Sequence, residues 1–252
     1  MSLHSSLVLP LLLSLALPTP AQSPASAAPQ PSQPGVKRPD PGPDWPNLNR
    51  YRAENAQLGD PAPGVKRVVF LGDSITDGWG RGHGSFFPGK PYINRGISGQ
   101  TTPQMLVRFQ QDVVTLKPAA VVILAGTNDL AGNTGPEPMS AIEDNFRSMV
   151  AIAKAAHVRV ILSSVLPADR FPWRPGLEPA AQIRELNHWI EGFAREQRLV
   201  YLNYYPALAT PEGAMRPELA TDKAVHPNDA GYALMQPLAE AAIARALASP
   251  AP

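Results

Sequence analysis

The sequence predicts a three-layer α/β/α domain built on a five-stranded parallel sheet. Three observations predict it. The apolar residues gather in short, near-continuous runs, as strands buried on both faces of a parallel sheet require. Helix-period segments separate those runs, so strand and helix alternate along the chain, which favours right-handed crossovers and helices on both faces. Eleven of the 30 prolines fall in the first 50 of the 252 residues, and the remaining 200 or so support one core rather than two.

The strand runs are Val65–Leu71 (VKRVVFL), the weaker Tyr92–Ile97, then Ala119–Ala125 (AAVVILA), Val158–Ser164 (VRVILSS) and Leu199–Tyr204 (LVYLNY). Between the second and third, Thr101-Thr102-Pro103 opens a helix with a hydroxyl at the cap and proline in the first turn. Ser140-Ala141-Ile142-Glu143 carries a capping-box pattern for a helix running to about His157. A third helix is expected over Ala180–Gln197 and a fourth over Asp229–Ala248, with a kink at Pro237. Five strands joined this way imply a flavodoxin-like sheet, and no internal repeat is present.

The N-terminus follows other rules. Leu7–Leu17 (LVLPLLLSLAL) is too short to span a bilayer but suits the apolar core of a signal peptide, although no Lys or Arg precedes it. A signal peptide is expected over residues 1–21. A Pro-, Ser-, Ala- and Gln-rich tether, unable to bury enough apolar surface to fold, is expected over 22–44. The folded domain is expected over 45–249. With no cysteine after the apolar run, a lipoprotein anchor is excluded, and the expectation is an exported protein, periplasmic or extracellular, with no stable membrane anchor.

Composition removes other classes. Twenty-two basic residues against 21 acidic ones leave a formal charge of +1, so no basic field is available for nucleic acid. The absence of cysteine excludes disulfides, thiolate metal sites and a cysteine nucleophile. His4, His83, His157, His188 and His226 show no ligand spacing, so neither a metal nor an organic cofactor is expected, and His157 and His188 read as helix-surface residues.

In a parallel sheet, chemistry belongs beyond the carboxyl ends of the strands. There the sequence places Gly72-Asp73-Ser74-Ile75-Thr76-Asp77-Gly78, then Ser98-Gly99-Gln100-Thr101-Thr102, then Gly126-Thr127-Asn128-Asp129. Asp222-Lys223-Ala224-Val225-His226-Pro227-Asn228 precedes the last helix. Taken singly, Ser74 is a helix cap, Asn128 a turn former, Gly99 a positive-φ residue, and Asp222 and His226 solvated loop residues. Taken together, they are the inventory for acyl transfer through a serine nucleophile with a base and an oxyanion hole.

These four clusters resemble the blocks of the SGNH (GDSL-type) hydrolase family, over essentially the whole domain from Trp45 to Ala248. Gly72-Asp73-Ser74 stands for the first block and Asn94–Gly99 for the second. Gly126–Asp129 stands for the third, and His226-Pro227-Asn228 with Ala230-Gly231-Tyr232 for the last. The resemblance extends to lysophospholipase-like and platelet-activating-factor acetylhydrolase-like esterases. It implies Ser74 as nucleophile, His226 as general base and Asp222 as the acid that orients it. It also implies an oxyanion hole made by the backbone N–H of Ser74, Gly99 and Asn128. One departure stands out: the family places its aspartate three residues before the histidine, where this chain has Lys223. Asp222, four before, reaches the imidazole on a helical turn but not along an extended loop.

Other hydrolase and nucleotide motifs fail. Thr76 occupies the second glycine position of a Gly-x-Ser-x-Gly elbow, and there is no Walker A sequence. The resemblance allows esterase, lysophospholipase, thioesterase and carbohydrate-deacetylase activities, and the expectation is a serine esterase acting on small-molecule or polysaccharide esters with short acyl groups. The alternative is a non-catalytic carbohydrate-binding module on the same scaffold. Trp79, Phe86 and Phe87, and separately Phe171 and Trp173, are aromatics that either wall a substrate site or simply pack.

Overall fold

In the structure, a computed structural model, Met1 and residues 44–250 are described; all but the first residue of the expected signal peptide and all but the last residue of the expected tether lie outside the described residues. In chain order the elements are α1 (Arg52–Leu58), β1 (Val68–Gly72), α2 (Ser74–Gly78), β2 (Tyr92–Gly96), α3 (Thr102–Asp112), β3 (Ala120–Leu124) and α4 (Thr127–Leu130). There follow α5 (Met139–Ala155), β4 (Arg159–Ser163), α6 (Ala180–Glu196), β5 (Val200–Leu202), α7 (Tyr205–Leu208) and α8 (Asp229–Ala248). The sheet is wholly parallel, in the order β2-β1-β3-β4-β5. Helices α3, α5 and α6 pack in succession against one another, while α8 lies across β3, β4 and β5. This is the three-layer arrangement that strand–helix alternation demanded. Every residue of the central strands β1 and β3 is buried, which accounts for their unbroken apolar runs.

The strand limits shift for local reasons. Val65 is exposed and its N–H closes a turn onto the Ala62 carbonyl, so β1 starts three residues later than its apolar run. The edge strand β5 stops at Leu202, because the Ser164 hydroxyl accepts the backbone N–H of Tyr204 and Tyr205 at 3.0 and 3.1 Å. The helix over 102–112 opens as expected, with the Gln104 side chain accepting the Thr101 N–H at 3.0 Å. The capping box expected at Ser140 does not form. Helix α5 starts two residues earlier, with extended Pro138 rather than Ser140 at its N-cap and no side-chain cap, and Glu143 pairs with Arg147 at 3.2 Å instead. Pro237 lies inside α8, whose N-cap is Asn228, its side chain accepting the Gly231 N–H at 3.1 Å.

Register positions the site. Gly72 of β1 stands opposite Gly96 of β2 and Leu124 of β3, so three loops leave one edge of the sheet side by side. Arg108, fully buried, ties that edge together: its guanidinium donates to the carbonyls of Arg95 (2.8 Å) and Gly72 (3.1 Å) and to the side chains of Gln100 and Asp112. A buried cation is retained only with such complete pairing. Among the described residues, no helix is long and apolar enough to cross a membrane.

Candidate active site

Ser74 is the first residue of the five-residue helix α2, directly after β1. Gly72 precedes it because a Cβ there would collide with the Thr76 side chain and the Leu124 carbonyl. Asp73 caps the helix: its carboxylate accepts the Ile75 N–H at 3.0 Å. The Ser74 Oγ lies 2.9 Å from His226 Nε2, across 152 residues of sequence. His226 Nδ1 lies 2.6 Å from Asp222 Oδ2. The structure thus brings Ser74, His226 and Asp222 into one hydrogen-bonded chain.

The reach of Asp222 is achieved by neither route considered from the sequence. Residues 221–226 form no helix, and they are not extended. Lys223 adopts a left-handed conformation (φ 57°), which folds the segment back on itself. Asp222 Oδ1 then accepts the backbone N–H groups of Ala224 (3.0 Å), Val225 (2.8 Å) and His226 (3.1 Å), leaving Oδ2 for the imidazole. Burial opposes ionisation of this carboxyl more than any single partner favours it. The Val225 N–H, the His226 ring and the two remaining N–H donors together outweigh that burial and hold its pKa below the ordinary value. The longer spacing is therefore closed by an Asx-type turn.

Gly99 follows β2 with φ 79°, a conformation that favours glycine. Among the described residues, neither its N–H nor that of Ser74 donates to a protein acceptor. Asn128, buried on the short helix α4, donates from Nδ2 to the Gln100 carbonyl (3.0 Å) and to Asp73 Oδ2 (3.2 Å), so its amide bonds the neighbours of both Gly99 and Ser74. Two residues outside the sequence-derived set complete this corner. Asp73 is fully buried, and burial raises its pKa to about 6 against the opposing pull of the Ile75 N–H and of His226. Asn133 donates to Asn128 Oδ1 (2.7 Å) and the Gly99 carbonyl (3.2 Å), and accepts from Trp173 Nε1 (3.1 Å). Its place in the loop after α4 carries no motif, so no signal in the sequence marked it.

The aromatics divide. Trp79 and Phe87 are buried and pack with Phe70, Phe86 and Tyr92, and Trp79 also with Tyr232. They form core. Trp173, by contrast, is 38% exposed, stacks on buried Phe171 at 5.2 Å and sits 5.8 Å from the His226 ring. It borders a cleft of about 590 Å³ that Pro136, Glu137, Arg174, Leu177 and Gln182 also line. Among the described residues, no three His, Asp or Glu side chains gather as metal ligands would. A hydroxyl, an imidazole and a carboxylate in series, beside free backbone N–H groups, suit nucleophilic attack on a carbonyl.

Residues 70–234 match the GDSL-like lipase/acylhydrolase family. Among solved structures, a GDSL-like lipase from Bacteroides thetaiotaomicron is 46% identical, with a TM-score of 0.77 over 80% of this chain and 98% of its own. A candidate acylhydrolase from Bacteroides fragilis is 43% identical, with a TM-score of 0.78 over 81% and 98%. An acetylxylan esterase from Geobacillus stearothermophilus is 35% identical over 88 residues, 26% of this chain and 40% of that enzyme. The chain spans between 40% and 61% of the length of the curated relatives it matches.

Proposed function

The chain belongs to the GDSL-like lipase/acylhydrolase family, and on that premise we propose that it is an exported serine esterase removing short acyl groups, chiefly acetyl, from a small-molecule or polysaccharide alcohol. The observation that carries the reading is the continuous chain from Ser74 Oγ through His226 to Asp222, at 2.9 and 2.6 Å. His226 Nε2 takes the hydroxyl proton as Oγ attacks the ester carbonyl, and Asp222 holds the imidazolium that forms. The N–H groups of Ser74 and Gly99 and the Asn128 amide receive the oxyanion, the amide giving up its longer bond to Asp73. His226 then protonates the departing alcohol. Water, deprotonated by the same imidazole, attacks the acyl-enzyme, releases the acid and returns the proton to Ser74. Each step needs only groups of this chain, the ester and water.

Substrate class is supported by Trp173 and the cleft beside it. An exposed indole face beside the base, with Glu137, Arg174 and Gln182 nearby, suits a ring that is apolar on its face and polar at its rim, as a sugar is. The export reading rests on the apolar run at residues 7–17. The test is Ser74→Ala, assayed with aryl esters of increasing acyl length beside acetylated oligosaccharides. Expected are loss of turnover without loss of fold, and in the unaltered chain rates that fall from acetyl to long acyl chains. Retained turnover in Ser74→Ala refutes the catalytic reading at this serine, absence of turnover in the unaltered chain favours the non-catalytic binding module, and rates that climb with acyl length refute the substrate class alone.

A further inference from the structure

We propose that Asn133 is a positioning residue that, from the opposite end to Gln100 and Asp73, fixes which end of the Asn128 amide faces the reacting carbonyl. This rests on the catalytic reading above, in which Asn128 is an oxyanion donor. An asparagine amide is nearly symmetric in shape but opposite in polarity at its two ends, so something must choose its orientation. Asn128 Oδ1 accepts from Asn133 Nδ2 at 2.7 Å, which leaves Asn128 Nδ2 pointing to Gln100, Asp73 and the oxyanion corner.

Asn133 is itself held one way round. Its Nδ2 carries two hydrogens, given to Asn128 Oδ1 and to the Gly99 carbonyl (3.2 Å), and its Oδ1 accepts from Trp173 Nε1 (3.1 Å). Turning it over would set its oxygen against two acceptors and its nitrogen against an N–H donor. Its own backbone N–H is anchored on the Asn128 carbonyl at 3.0 Å, a bond that no side-chain substitution removes. One side chain therefore touches two of the three segments that supply oxyanion donors and the aromatic ring beside His226. Both ends of its amide are taken by protein partners, so its effect passes through Asn128 and Gly99.

The polarity argument separates this role from a merely structural one. Asn133→Ala removes the donor to Asn128 Oδ1, so that once Nδ2 leaves Asp73 for the oxyanion only the Gln100 carbonyl holds the amide in place. Asn133→Asp keeps the shape and the acceptor for Trp173 but replaces the donor with a carboxylate, which repels Asn128 Oδ1 and competes with Gln100, Asp73 and the oxyanion for Asn128 Nδ2. Turnover is expected to fall about 10- to 100-fold in Asn133→Ala, with KM within about threefold of the original. In Asn133→Asp the fall is expected to exceed that and approach the 10²- to 10³-fold cost of losing one oxyanion donor. The affinity of an alkyl boronic acid, which forms a tetrahedral anion on a serine hydroxyl, should weaken in step with kcat.

If the side chain only braces the loop, the isosteric Asn133→Asp will be the milder of the two, the melting temperature will fall with activity, and boronate affinity will hold. That pattern overturns the proposal, as does turnover within threefold in both variants. Should Asn133→Ala fail to fold, Asn133→Ser replaces it in the same comparison. Ser74→Ala is run in parallel. Turnover lost there but unchanged at Asn133 refutes this inference alone, whereas turnover retained there refutes the catalytic reading beneath it.

Discussion

Replacing Asp222 with asparagine tests the most unusual element of the site, an acid four residues before the histidine. Oδ1 of Asp222 is surrounded by three backbone N–H donors at 2.8 to 3.1 Å, so in Asp222→Asn the amide oxygen must occupy that position. The amide NH₂ then takes the place of Oδ2, 2.6 Å from His226 Nδ1. Two donors cannot face each other there, so Nδ1 becomes an acceptor and the ring proton moves to Nε2, which then points its hydrogen at Ser74 Oγ. A base in that tautomer cannot take the serine proton. The same substitution in a Ser-His-Asp protease lowers kcat about 10⁴-fold, and four factors of ten at about 1.36 kcal/mol each give roughly 5 kcal/mol of lost barrier lowering. The melting temperature should change little, because the three N–H groups keep an acceptor. The assay is kcat for an activated acetyl ester at neutral pH, with circular dichroism as the control for fold. A loss below about tenfold, roughly 1.4 kcal/mol, refutes the reasoning and leaves a Ser74–His226 dyad whose imidazole is oriented by some other group.

Asn128→Ala should lower kcat by about 10²- to 10³-fold if its amide receives the oxyanion, and steady-state kinetics with an unchanged rate would reduce it to a loop brace bonded to Gln100 and Asp73. Asp129 gives a pH prediction. Its Oδ1 accepts from the Thr102 N–H and hydroxyl, but its buried Oδ2 has no partner, and burial raises the pKa from 3.8 to about 7 despite those Thr102 bonds. A carboxyl raised in the folded state binds more protons folded than unfolded between those values, so its contribution to stability is fully present below pH 4 and is lost as pH rises through 7. Asp129→Asn does not titrate. Its stability relative to the unaltered chain should therefore rise between pH 5 and pH 7, by on the order of 3 kcal/mol for about two pH units. Melting temperatures that differ equally at pH 5 and pH 8 would contradict it.

What the sequence by itself determined is what short-range pattern encodes. Unbroken apolar runs such as Ala119–Ala125 announce strands buried on both faces, and alternation with helix-period segments sets the layers. Ser74, Gly99 and Asn128 were legible because each directly follows such a run, and in a parallel sheet in this register those loops must leave from one edge. Tertiary structure decided whatever depends on conformation within a loop or on contact between distant loops. The spacing of Asp222 and His226 left two outcomes open, and the left-handed backbone at Lys223 produced a third that carries no signature in composition or period. The short helices α2 and α4 escaped detection because five and four residues complete barely one turn, too few for periodicity to register. Asn133 and Trp173 lie 40 residues apart in segments with no motif, and only packing brings Nε1 to Oδ1. Hydrophobic pattern is summed over many residues and survives in one dimension, whereas a hydrogen bond depends on the placement of two atoms within a few tenths of an ångström, and that placement exists only once the chain has closed on itself.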